Sequence, residues 1–473
     1  MDFNTLIGTI GGFLYDNILL YALVIIGLYF TIRLRGVQFR RFGESLKVVT
    51  EKTDDKEAIS SFEALMVSTA SRVGTGNIVG VSTALCIGGF GSVFWMWLIA
   101  IVGSASAFVE STLAQIFKRK ENDHDATCKG GPAYYIEQGL GSRGLGVLFS
   151  ILLLCTFGCG FIMLASFNLV DSFAIYFGGQ EQFSQTMIPI IIGAVTTAMF
   201  AYSVFGGSKK LSKITGILVP VMGVIYIVMA VLMIVLHANL LPAIIGRIFK
   251  EAFDFKAIMG GFSGSCLMYG VKRGLFSNEA GLGSAPNAAA AAEVSHPVKQ
   301  GLVQILSVFL DTIIICSATA FMCMSSGVEP SSDLAGIAYV QEALGATFGT
   351  AGYVFITVAM VLFAFSTLLG NCFYAEPNLS FVLNHDMTKK ERFIFYICET
   401  IFVFIGAFMK FEMVWNLADM MMAVMACVNL PVILILGKHA FACLKDYEKQ
   451  RAEGKNPVFK AEDIGIKGTD FWN

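Results

Sequence analysis

The chain has 473 residues, of which 55% are hydrophobic and 14% charged, and its formal net charge is −2. Soluble domains carry about 25% charged residues, so the composition excludes an ordinary soluble protein and points to an integral membrane protein. With no excess of positive charge there is no field for nucleic acid.

Eleven cysteines are scattered through the chain, many inside apolar runs as at Cys155, Cys316 and Cys427. There is no C-x-x-C pair and histidine is sparse, so the cysteines read as small hydrophobes rather than as a metal or disulfide framework. The first apolar run lacks the positive n-region of a cleavable signal.

A bilayer crossing needs about 20 mostly apolar residues. In chain order such runs fall at 14–34, 62–86, 92–117, 146–175, 187–206, 213–237, 256–275, 299–325, 351–382, 391–409 and 413–438. This predicts an all-α, polytopic membrane protein with eleven transmembrane helices. With the C-terminus placed inside, only Arg247, Lys250, Lys256 and Lys410 fall on outer segments, and Arg72 lies within a span. Every other Lys and Arg is inside. That bias predicts a cytoplasmic-membrane protein with its N-terminus outside and its C-terminus in the cytoplasm.

Two runs are weak because Gly, Ser and Thr crowd their middles. The first contains STASRVGTGN (68–77), the second MGGFSGSCLMYG (259–270). The VGTGNIVG stretch at 73–80 is no dinucleotide fingerprint, since Val79 stands where the third glycine belongs. Small residues that dissolve a helix leave bare N–H and C=O groups at membrane depth, where lipid cannot satisfy them. Two such interruptions at matching positions of two halves mark a transporter binding site. Close helix packing also uses small residues, and Gly76 and Gly80 have that spacing. Two symmetric clusters favour broken helices instead. Spans 2–6 and 7–11 then form a five-plus-five inverted repeat with broken helices at spans 2 and 7. The expected divisions are 1–61, an extra first helix and its cytoplasmic loop; 62–237, the first repeat; 238–440, the second repeat; and 441–473, a cytoplasmic tail without transport chemistry.

The blocks GTGNIVGVSTA (74–84), FWMW (94–97), GGPAYYIEQGLG (130–141), GVKRGLFSNEAGLGSAPNAAAAA (270–292), FLDTI (309–313) and FAFSTLLG (363–370) carry a family resemblance. The chain resembles the alanine or glycine:cation symporter family. The resemblance implies the fold of sodium-coupled amino-acid transporters, with the first helix outside the repeat. It implies sodium as the coupling ion and no organic cofactor. One stretch departs from the family: GFIMLASFN (160–168) stands where alanine-transporting members carry amides, and only Asn168 offers one. That bears on which amino acid is carried.

An amino-acid zwitterion needs an acceptor for its ammonium and donors for its carboxylate. The second half of span two offers N–H groups at Gly76, Asn77 and Ile78 as a positive dipole end for the carboxylate. Glycine there permits close backbone approach and unusual φ values. Ser263, Gly264 and Ser265 of span seven are expected to face the α-carbon and side chain, with Thr75, Asn168 and Thr367 hydrogen-bonding polar groups. The resemblance implies that Ser366 and Thr367 hydroxyls, with the Ala70, Val73 and Phe363 carbonyls, surround one sodium; neutral oxygens suit such an ion. The alternative is that these hydroxyls bond to their own helix. Arg72 lies in the break and is expected to pair with Asp311 or Asp419, as a structural ion pair, a gate or a carboxylate contact. The segment 278–292 reads as an inside connector with a Gly-Pro turn and a short Ala-rich helix, with part of the inner gate as the alternative.

The expected activity is sodium-coupled symport of a small neutral amino acid, alanine or glycine, by alternating access, with a larger neutral amino acid such as glutamine or serine as the alternative. An ion channel is more remote, because filters repeat around an axis and these two breaks differ in sequence. No H-E-x-x-H, G-x-S-x-G or Walker A pattern marks an enzyme.

Overall fold

The computed structural model describes residues 3–51, 59–120, 128–206, 208–261, 264–466 and 468–472. Apart from a two-residue antiparallel pairing of Arg119–Lys120 with Cys128–Lys129, the named elements are helical. We number the helices that matter here. They are α1 (Phe3–Arg33), α2 (Ser61–Arg72), α3 (Gly76–Gly88), α4 (Ser92–Ile116), α5 (Arg143–Asp171), α6 (Ile188–Val204) and α7 (Lys210–Leu236). The second set is α8 (Cys266–Asn278), α9 (Pro286–Ala291), α10 (Pro297–Ser325), α11 (Thr350–Leu383), α12 (Lys389–Gly406) and α13 (Phe411–Ala452). Among the described residues, α1, α4, α5, α7, α10, α11 and α13 are long and apolar enough to cross a membrane.

Helix starts follow local chemistry. Ser60 caps α2 through a capping box: the Glu63 N–H donates to Ser60 Oγ at 3.1 Å and the Ser60 N–H to Glu63 Oε2 at 2.9 Å. Thr388 and Glu391 do the same for α12. Pro220, Pro377 and Pro431 sit inside helices, which is tolerated where neighbouring helices re-satisfy the backbone.

α4 is the central post, packed against α1, α8 and α10. Glycines let these helices close in. A β-carbon on Gly270 would stand 2.6 Å from the Ser92 carbonyl oxygen, and one on Gly274 would strike Ile99. α2 packs between α7 and α11. The outward faces of α6 and α7 expose Ile191, Val195, Ile217, Val221, Val224 and Val228. In water that belt would be a liability; against lipid it is the expected surface. All eleven cysteines are free thiols.

Span two breaks where expected, at Val73–Gly74. Span seven is also interrupted where expected, between Phe255–Gly260 and Cys266–Asn278, but that interruption lies beside exposed Met259, Gly261 and Gly264. The deeply buried interruption is Glu279–Ala285, between α8 and α9, and the whole stretch 279–291 is buried in the core. The segment expected as an inside connector is therefore part of the helical interior, although its Ala-rich helix forms at Pro286–Ala291. Hydropathy misses it because Gly, Ser and Asn bury without scoring as apolar. Lys272 and Arg273, which the positive-inside count placed on an inner loop, lie within α8 against Asp419.

The tail folds back on the bundle. The Trp472 indole N–H donates to the Gln115 carbonyl at 2.7 Å, the Lys118 Nζ lies 4.1 Å from the Phe471 ring centre, and Arg119 pairs with Asp470 at 2.6 Å.

Candidate functional site

The first break is a tight local turn. Val73 leaves the helical range at ψ 81°. The Gly74 N–H donates to Asn77 Oδ1 at 2.8 Å and the Asn77 N–H to the Gly74 carbonyl at 3.2 Å, so the break satisfies part of its own backbone. Neither Gly74 nor Gly76 has a positive φ. Their role is close approach: a β-carbon on Gly74 would collide with the Thr367 hydroxyl, and one on Gly76 would stand 2.6 Å from the Phe276 ring.

The second break faces the first. Glu279 turns the chain at φ 53°. Its Oε1 accepts from Ser71 Oγ at 3.1 Å and its Oε2 from Ser284 Oγ at 2.6 Å. The N–H groups of Gly281 and Gly283 donate to the two carboxylate oxygens of Glu110, each at 3.2 Å, and Asn429 donates to Glu110 and to the Gly281 carbonyl, each at 3.0 Å. α4 thus supplies through Glu110 the acceptors that this unwound backbone lacks.

Between the two breaks lies a cavity of about 10 Å³ lined by Ser71, Arg72, Thr75, Gly76, Phe161, Leu164, Phe276, Glu279 and Thr367. That is room for about one water molecule, so the site is closed in this conformation. Its floor is polar. Its roof is Phe161 and Phe276, with ring centres 4.9 Å apart, and Trp415 packs behind, tilted, at 5.1 Å from Phe276. Arg273 lies over Trp415 at 4.4 Å and grips Asp419 with two bonds of 3.1 Å. A six-residue π-helical turn at Thr156–Phe161 in α5 brings Phe161 to the roof.

Thr367 joins the cavity to the expected ion site. Its Oγ1 is 3.4 Å from the Ala70 carbonyl and 3.0 Å from the Phe363 carbonyl. Ser366 Oγ donates to the same Phe363 carbonyl at 2.8 Å. Ala70, Phe363 and Thr367 are brought together as neutral oxygen donors, a set that fits sodium. Val73 closes the end of α2, and the Ser366 hydroxyl is turned back on its own helix.

The other sequence-predicted residues divide. Thr75, Gly76 and Thr367 line the cavity. The Asn77 amide instead donates to Asp311 Oδ1 at 2.7 Å and to Ser277 Oγ at 3.1 Å, while Ser277 and Thr312 donate to Asp311 Oδ2. Asn168 is buried one turn beyond Leu164, its amide nitrogen without a partner and outside the cavity lining. Ser263 lies outside the described residues. Gly264 is exposed and Ser265 caps α8, accepting from the Met268 N–H at 3.3 Å; neither lines the cavity. The expected Arg72 ion pair does not form. Arg72 donates to Gln304 at 2.9 Å, Asp311 is held by neutral donors, and Asp419 is taken by Lys272 and Arg273. Sequence reasoning missed Ser71, Phe161, Leu164, Phe276 and Glu279. Two of these, Phe276 and Glu279, sit in the 270–292 block that most strongly carried the resemblance.

The sodium:alanine symporter family profile matches residues 1–461. The chain belongs to the sodium:alanine symporter family. Proteins similar to it include the amino-acid carrier protein AlsT of Bacillus subtilis, 43% identical over 99% of this chain and 98% of that protein. The probable sodium/glutamine symporter GlnT of the same organism is 41% identical over 99% of this chain and 95% of that protein. The sodium/alanine symporter AgcS of Methanococcus maripaludis is 36% identical over 96% of this chain and 100% of that protein. Membership makes this a multi-pass membrane transporter in which sodium is the coupling ion for an amino acid.

Proposed function

We propose that the chain carries a small neutral amino acid, alanine or glycine, into the cell with sodium by alternating access. The observation that carries this reading is the closed cavity between two facing helix breaks, with hydroxyls and one charge of each sign below and aromatic rings above. A zwitterion with a short apolar side chain has that distribution. Thr75, Gly76 and Thr367 are the contacts we assign to the substrate. Ala70, Phe363 and Thr367, with Val73 and Ser366 beside them, are assigned to sodium. Both ligands then share Thr367, which supports linkage: each raises the affinity for the other.

The topology we assign is eleven crossings, with the N-terminus outside and the C-terminus in the cytoplasm. The repeats are α2–α7 and α8–α13, each opening with a broken helix. The interrupted pairs α2/α3 and α8/α9 facing one another support this arrangement.

Uptake of labelled amino acids into proteoliposomes, with and without an inward sodium gradient, tests the reading. Sodium-driven alanine or glycine uptake is the expected result; equal amino-acid binding in sodium and in potassium would remove the coupling. A second reading, glutamine as cargo, is favoured by the similarity to GlnT and by Asn168 being the one amide in the 160–168 stretch. Glutamine outcompeting alanine in the same assay selects it.

A further inference from the structure

Arg72 is buried, 2% exposed, and lines the cavity, yet it uses only one nitrogen. Nη1 donates to Gln304 Oε1 at 2.9 Å; among the described residues Nε and Nη2 have no hydrogen-bond partner. A buried guanidinium left with open N–H groups is costly, more so at membrane depth. Three carboxylates lie around it, each bonded to other donors and none to the guanidinium in this conformation. Glu279 is held by Ser71 and Ser284, Asp311 by Asn77, Ser277 and Thr312, and Glu110 by two glycine N–H groups and Asn429. The protein spends its neutral donors on the carboxylates and leaves the guanidinium free beside the cavity.

We propose that Arg72 is the side-chain anchor for the substrate carboxylate, with Glu279 across the same cavity receiving the ammonium group. The planar guanidinium accepts a carboxylate on two parallel N–H bonds, which satisfies the open donors and selects an α-amino acid over an amine. A carboxylate retains lone pairs after two hydrogen bonds, so Glu279 has capacity for an ammonium without losing its serines. Arg72 is thus a recognition residue rather than half of an ion-pair gate. The assignment rests on the amino-acid symport reading above.

The test is binding to the purified full-length protein. L-alanine affinity is measured at saturating sodium, and radiolabelled sodium binding is measured without amino acid. The expected result for Arg72→Gln is an L-alanine affinity about 100-fold weaker with sodium binding retained; for Arg72→Lys, which keeps the charge but not the fork, about tenfold weaker. Glu279→Gln is expected to weaken L-alanine by about tenfold or more. Unchanged L-alanine affinity in the Arg72 variants overturns the proposal and leaves symport standing. Joint loss of sodium and L-alanine binding in both Arg72 variants makes the residue architectural and also overturns it. If the wild-type protein binds no amino acid in sodium, the symport reading falls and this assignment with it.

Discussion

Phe276 lies directly on Gly76: a β-carbon at position 76 would stand 2.6 Å from two carbons of the ring. The roof of the cavity rests on bare backbone, so opening the site requires the ring to leave that glycine. Gly76→Val is expected to abolish uptake while leaving membrane insertion and a monodisperse elution profile intact. Normal uptake by this variant would show that the Phe276 contact is not part of the transport cycle.

Thr367 is the junction of the cavity with the Ala70 and Phe363 carbonyls. Thr367→Ala removes one of the oxygens we assign to sodium and leaves the two carbonyls. Sodium activation should weaken about tenfold, as expected for one lost ligand hydrogen-bonding group, and more than the amino-acid affinity at saturating sodium. Measuring uptake against sodium concentration decides it. An unchanged curve removes Thr367 from the ion site.

Asp419 balances Lys272 at 2.8 Å and Arg273 at 3.1 Å inside the bundle. Asp419→Asn leaves buried Arg273 and part-buried Lys272 without their counter-charge. A stability loss of about 3 kcal/mol is expected, from the cost of breaking one side of a buried pair. Thermal unfolding in detergent reads this directly. The double variant Arg273→Met with Asp419→Leu should recover part of the loss, because it removes the fully buried pair and leaves only the part-exposed Lys272 unpaired.

His296 precedes α10 on the tail side of the bundle. Its Nδ1 accepts from the Val298 N–H at 3.3 Å, which leaves Nε2 to donate to Asp446 at 3.2 Å as a neutral imidazole. Burial is the main cause that pushes it down from 6.5 to about 4; Lys299 acts the same way, and Asp446 opposes both. The native state thus binds the proton less readily than the unfolded chain. The stability this contributes is present above about pH 6.5 and is lost as pH falls from 6.5 through 4. Wild-type thermal stability should decline over that window, and His296→Gln should flatten the decline. An identical pH profile in the variant refutes the assignment.

The amino-acid order alone determined that this chain crosses a membrane, that span two breaks at Val73–Gly74, and that Thr367 lies by the break. Each is a local signal: an apolar run, helix-dissolving residues within it, a recognisable block. The second break was not legible. Residues 278–291 are small and polar enough to read as a connector, and only their burial under Glu110 and Asn429 shows otherwise. The partner of Arg72 was equally hidden. Composition placed a cation in the break, but whether it meets Asp311, Asp419 or neither depends on which donors reach those carboxylates first: Asn77, Ser277 and Thr312 at Asp311, and Lys272 and Arg273 at Asp419. That competition is settled by side chains from α4, α8, α10 and α13 converging in space, and no spacing along one chain encodes it. Tertiary packing therefore decided which charges are spent on the scaffold and which are left for a ligand.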